Sequence, residues 1–181
     1  MKKKYFAAGL IAVPCALLMT GCSTSDLFTD KYDESTTKTA KSSKQAVADG
    51  LLPNWVPEGG SNIELVQRNT GSERIFVMDF DGKLPAEKCV PIKKVGQPSE
   101  QELTKAYASD SRTAQWKVDE ISTQRTLDAD WWPADAESRT TDLCGRFWVH
   151  QEGGKLYAFA PDSVNTVKAI NEERKSASES K

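Results

Sequence analysis

Asn62-Ile63-Glu64-Leu65-Val66-Gln67-Arg68 and Glu73-Arg74-Ile75-Phe76-Val77-Met78-Asp79-Phe80 flank the segment Asn69-Thr70-Gly71-Ser72. Their patterning specifies the first pair of strands. In the first, Ile63 and Leu65 share one side. In the second, Phe76, Met78 and Phe80 alternate with Ile75, Val77 and Asp79. Period-two alternation places alternate side chains on opposite faces of a strand. Asn, Thr, Gly and Ser between two such runs make a turn, so the stretch predicts a hairpin.

Working outward, the same pattern recurs. Cys144 to His150 and Lys155 to Phe159 flank Gly153-Gly154 and predict a second hairpin. Thr113 to Val118 puts Ala114, Trp116 and Val118 on one side and predicts a further strand. One helix is well signed. Ser99-Glu100-Gln101-Glu102 is a capping box, with Ser99 as N-cap and Glu102 at N3. Leu103, Ala106 and Tyr107 follow at helical spacing. Hairpins around a single internal helix predict an α+β domain. We expect an antiparallel sheet of five to six strands with one helix packed on one face.

The chain has 181 residues, which suits one domain with tails. Its 38% hydrophobic and 28% charged content fits a modest core with a polar surround and excludes a multi-span membrane protein or a coiled coil. A net charge of -2 argues against nucleic acid as a partner, because phosphates find no basic field. No cofactor or metal is expected: one His and four Cys leave little for metal chemistry. The reading divides the chain into a signal peptide over 1–21, a flexible tether over 22–50, a globular α+β domain over 51–161, and a polar tail over 162–181. The tether is rich in Ser, Thr, Lys and Asp and lacks a periodic apolar pattern. A short helix over 43–52 is left open by Val47, Leu51 and Leu52. In the tail, Val164, Val167 and Ile170 leave open a short helix over 163–172, followed by disorder.

Lys2, Lys3 and Lys4 precede an uncharged run from Tyr5 to Thr20. The run is too short to span a bilayer, which takes about 20 apolar residues. A charged start and a short apolar run read as an export signal. Leu18-Met19-Thr20-Gly21-Cys22 resembles the lipobox of bacterial lipoproteins, with Met19 where Leu is usual. The resemblance implies diacylglyceryl modification of Cys22 and cleavage before it. Two acyl chains suffice for a stable anchor, whereas one gives marginal binding. Loss of three lysines with the signal makes the mature chain more acidic, so its surface gains nothing from anionic headgroups. We therefore expect an exported protein held by lipid on the outer face of the cell membrane.

Cys15 leaves with the signal and Cys22 takes the lipid. Cys89 and Cys144 remain, an even pair in an oxidising compartment, and predict a disulfide. Neither has the C-x-x-C or histidine context of a reactive thiol.

Three motifs carry other chemistry on paper. Asp79-Phe80-Asp81-Gly82 is similar to the first motif of haloacid-dehalogenase-like phosphatases, in which the first Asp is the nucleophile and the second the acid/base. Lys83 stands where that family has a hydroxyl, and the alternating β/α chain is missing. A strand ending in an Asp-Gly turn is the simpler reading. Asp128 to Glu137 gathers four carboxylates, but Trp132 and Pro133 occupy the positions where a calcium loop needs Asp and Gly. Trp131 and Trp132 could stack on a sugar or small ligand, although Trp more often fills a core. Trp116 and Trp148 are expected in the core, and His150 at the surface.

Taken in order, Leu52-Pro53-Asn54-Trp55-Val56-Pro57, Ile63, Cys89, Asp130-Trp131-Trp132-Pro133, Cys144-Gly145-Arg146-Phe147-Trp148 and Leu156-Tyr157-Ala158-Phe159 resemble small secreted lipoproteins of actinobacteria of uncharacterised function. That resemblance implies an envelope location and carries no catalytic residue. The leading expectation is a non-enzymatic lipoprotein that binds or assembles with an envelope protein or glycan. The alternatives are a glycan or small-ligand binder using Trp131 and Trp132, or an enzyme using Asp79 and Asp81 or the 128–137 loop.

Overall fold

The structure, a computed structural model, describes residues 31–180. The signal segment, Cys22 and the first part of the tether lie outside the described residues. The elements in chain order are β1 (Ser35–Ser42), α1 (Ser43–Ala48), β2 (Ser61–Arg68), β3 (Arg74–Asp79), β4 (Cys89–Pro91), α2 (Glu100–Ala108), β5 (Asp142–Cys144), β6 (Phe147–Glu152), β7 (Lys155–Ala160) and α3 (Val164–Glu179). Short 3-10 turns lie at Val118–Glu120 and Ala136–Arg139. The strands form one sheet in the order β1-β2-β3-β7-β6-β5-β4, and every neighbouring pair is antiparallel. The fold is therefore α+β, with seven strands rather than five or six.

Both hairpins form as the alternation predicts. Leu65 faces Phe76 across β2 and β3, and Val149 faces Ala158 across β6 and β7. β3 lies inside the sheet, and Ile75, Phe76, Val77 and Met78 are all buried. A run buried on both sides needs cover on both faces. α2 covers one, as expected. Its capping box is complete, and Leu103, Ala106 and Tyr107 pack with Ile75, Trp148 and Phe159. The other face is closed by Ala46 of α1, within the 43–52 stretch for which a short helix is left open, and by Leu52, Trp55 and Val56. There Trp55, Phe76 and Phe147 form a triangle with ring centroids 5.6–5.9 Å apart. Each such aromatic pair contributes about 0.5–1.5 kcal/mol beyond its area.

The Cys89–Cys144 disulfide is present. The two residues face each other across β4 and β5, so the bond staples the three-residue edge strand β4 to the sheet.

The expected tether over 22–50 is ordered from residue 31 on. β1 pairs with β2 along Ser35 to Ser42 although its side chains are nearly all exposed. An edge strand open to solvent on both faces gains ladder hydrogen bonds, not burial, so hydrophobic alternation cannot reveal it. α1 then turns inward. Ser43 is fully buried; its Oγ donates to the Pro57 carbonyl at 2.8 Å and accepts from Gly60 N at 3.0 Å. The expected polar tail is likewise ordered as the 16-residue helix α3, N-capped by Ser163 and seated on Val167 and Ile170. The expected strand over 113–118 is absent. That segment turns, with Trp116 N bonded to Thr113 O, and Thr113 is buried with its Oγ1 donating to the Tyr107 carbonyl at 2.9 Å. Trp116 is consequently only partly buried against the α2 side, whereas Trp148 is core as expected.

Candidate functional site

Asp79 and Asp81 do not form a paired-carboxylate site. Asp79 accepts from Lys155 Nζ at 2.5 Å and Asn62 Nδ2 at 2.7 Å, and the Lys155 bond first of all holds its pKa below the ordinary value. Asp81 is exposed. The acidic loop is divided among arginines. Arg125 bonds Glu137 at 2.5 Å and reaches Asp128 at 3.3 Å, and Arg139 meets Asp135 at 3.3 Å. Trp132 is buried, edge-on to Tyr157 at 6.0 Å, with Arg125 5.8 Å from its ring centre. Trp131 is half-buried. His150, expected at the surface, is buried and stacked on Tyr157 at 5.0 Å. β6 runs two residues beyond it, so the side chain lies within the sheet, and burial lowers its pKa below 6.5.

Two arginine groups that sequence reasoning did not single out dominate the polar interior. The first surrounds Glu73, which is fully buried. Its carboxylate accepts from Thr126 N at 2.6 Å, from Leu127 N at 2.9 Å and from the Thr126 hydroxyl. Buried Arg68 stands 3.7 Å from Glu73 and donates to Asp33 and to Thr126 Oγ1, each at 2.8 Å. Arg174 of α3 donates to both oxygens of Asp33 at 2.6 and 2.7 Å, and to the Thr126 carbonyl at 2.8 Å. Glu173 accepts the backbone N–H groups of Tyr32 and Asp33 at 2.8 and 2.9 Å. The chain that leads into β1 is thus fastened to the last helix.

The second group is Arg74, Arg112 and Arg146. Arg146 is 2% exposed. Among the described residues its guanidinium makes one hydrogen bond, from Nη1 to the Pro161 carbonyl at 3.3 Å, and its Nε is buried without a partner. The Arg74 Nε is also buried and unpartnered. Burial, with repulsion from Arg74 and Arg112, pulls the Arg146 pKa down to about 10. Two carboxylates lie nearby, and both are engaged. Asp162 accepts the backbone N–H groups of Ser72, Glu73 and Ser163, and Asp110 pairs with Arg112 at 3.3 Å.

Of this group only Arg112 lines a cleft of about 490 Å³, together with Asn54, Trp55, Glu87, Lys88, Asp110 and Gly145. Lys88 and Gly145 adjoin the two disulfide cysteines. Gly145 has φ +56, and a Cβ there would meet the Asp110 side chain at 3.3 Å. The Phe147 ring ties cleft and arginines together, 5.1 Å from the Arg146 guanidinium and 5.6 Å from Trp55. Trp55 Nε1 is a further buried donor without a partner. No family model, curated protein or solved structure matches the chain.

Proposed function

We propose that the protein is a lipid-anchored module of the cell envelope that acts by binding rather than by catalysis. The lipobox-like Leu18–Cys22 supports the anchor. The observation that carries the reading is the fastening of Tyr32 and Asp33 to Glu173, Arg174 and Arg68. Tyr32 and Asp33 are already fastened to the domain, so the stretch from Cys22 to Lys31 sets the distance between lipid and domain. At 3.3–3.6 Å per residue that stretch reaches about 30 Å at most. Tension on the anchor is delivered to α3 and to the buried Arg68–Glu73 pair, not to an exposed loop.

Fractionation of Cys22→Ala tests the reading. The variant should leave the membrane fraction and fold as wild type does. Retention on membranes after a high-salt wash would show that something other than the lipid holds the protein.

A further inference from the structure

We infer that the free edge of β1 pairs antiparallel with the β1 of a second copy of this chain, with Thr36 facing Thr36. The inference rests on the binding reading above and names the partner. Among the described residues β1 stands at one end of the sheet, and nothing pairs with its outer side. Asn69 N donates to Glu34 O at 3.0 Å, so those two residues form a hydrogen-bonded pair. The antiparallel alternation then assigns Thr36, Lys38 and Ala40 to bonds with Gln67, Leu65 and Ile63. Ser35, Thr37 and Thr39 turn their N–H and C=O groups the other way. An exposed edge of this kind is a template for a further strand. The two edges of the sheet differ here. β4 is three residues long and ends on Pro91, which has no N–H to offer, whereas β1 runs eight residues without proline. The β1 side chains bury almost nothing, so the ladder to β2 is what holds the strand. A second ladder adds the same kind of support from the other side.

The charges select one register. Outward groups must face outward groups, so a two-fold axis between the copies passes through a residue that faces itself. Centred on Lys38, the pairing sets lysine against lysine, which repels. Centred on Thr37 or on Thr39, it sets the two Lys38 side chains diagonal to each other, still within reach of such long side chains. Centred on Thr36, each Lys38 faces Glu34 of the second copy. Two opposite-charge pairs then flank a central pair of threonines. Ser35 faces Thr37 of the second copy on either side of the axis, and each of those pairs exchanges both main-chain bonds. Glu34 and Lys38 are exposed, and Glu34 otherwise meets Lys31 at 3.8 Å across solvent-exposed side chains. β-Branched threonines suit cross-strand contact. Anchoring in one membrane raises the effective concentration of the copies for each other, so a short pairing suffices.

The test is oxidative cross-linking of the purified full-length protein in a non-ionic detergent, read on a non-reducing gel. In the Thr36 register the self-facing pair is a non-hydrogen-bonded one, with Cα atoms about 4.5 Å apart, a distance that a disulfide spans. Thr36→Cys should therefore give a cross-linked dimer. Thr39→Cys, which faces Asp33 of the second copy and lies far from its own counterpart, should give none. Thr37→Pro removes an outward N–H and no bond of the ladder to β2. In the Thr36→Cys background it should abolish the cross-link, with circular dichroism unchanged. Lys38→Glu sets Glu against Glu34 and should cut the cross-linked yield about tenfold, and adding Glu34→Lys should restore it. No cross-link at Thr36→Cys, an equal one at Thr39→Cys, or a yield indifferent to Thr37→Pro and Lys38→Glu would overturn the inference. Because the purified protein is tested in detergent, that failure is distinct from retention of Cys22→Ala on membranes.

Discussion

Arg68 and Arg146 are almost equally buried, yet their surroundings are opposite. Arg68 meets Asp33, Thr126 and Glu73, and the Glu73 carboxylate is itself saturated with donors. Arg146 donates to one carbonyl and stands 5.1 Å from the Phe147 ring, and the carboxylates near it, Asp110 and Asp162, are taken up by other donors. A buried charge with partners on all sides locks structure in place, and removing one partner leaves the other charge stranded. A buried charge with few direct bonds contributes less to holding the fold. The two sides of the sheet are held differently as well. Near β1 and β2 the ionic group ties β2, α3 and the incoming chain, while at β4 and β5 a disulfide does the holding.

The largest effect should come from breaking the saturated group. Glu73→Gln leaves Arg68 without its buried counter-charge and should cost about 3–5 kcal/mol. For a domain of this size that is on the order of 10 °C in melting temperature. Denaturant titration gives the free energy directly, and a loss below about 1 kcal/mol would place Glu73 among ordinary surface charges.

Next in size is the disulfide. Cys89→Ala with Cys144→Ala should cost about 2–5 kcal/mol. The loss should be local. Hydrogen exchange should quicken in β4, β5 and the cleft wall, while β1 to β3 keep their protection. Equal quickening around Glu73 would mean that the two sides are one cooperative unit.

The smallest effect belongs to Asp33, which is part-exposed. The Arg174 bond, then Arg68, holds its pKa below 3.8. A carboxylate whose folded pKa is depressed stabilises above the unfolded value and loses that contribution as pH falls through the folded one. Asp33→Asn should therefore cost about 0.5–1 kcal/mol at neutral pH. Melts of variant and wild type should converge as the solution is acidified well below 3.8. A gap that stays constant with pH would assign the loss to packing.

Local signals carried much of this fold. Alternation announced both hairpins, the Ser99–Glu102 box announced α2, and cysteine parity announced the disulfide. β1 escaped because Thr36 to Thr39 are exposed on both sides, leaving the period-two rule nothing to register. The rule also misled: six alternating residues at 113–118 read as a strand, whereas Thr113 closes the end of α2 through its hydroxyl. His150 was misplaced because Gln151 and Glu152 look like a loop but belong to β6. The arginine groups lay out of reach for a different reason. Arg74, Arg112 and Arg146 are separated by more than thirty residues at each step, and Arg68 and Glu73 flank a turn where charges usually face water. Only the pairing of strands assembles them.

Arg68 holds the fold through its carboxylate partners, whereas Arg146, with one long hydrogen bond, contributes little to stability. Thermal melts of Arg146→Met beside Arg68→Met set the two positions against each other. Replacing a poorly paired buried charge by an apolar side chain of similar length is often neutral or stabilising. Arg146→Met is expected to melt at or above the wild-type temperature, and Arg68→Met well below it. An Arg146→Met variant that melts as far below wild type as Arg68→Met would contradict the contrast.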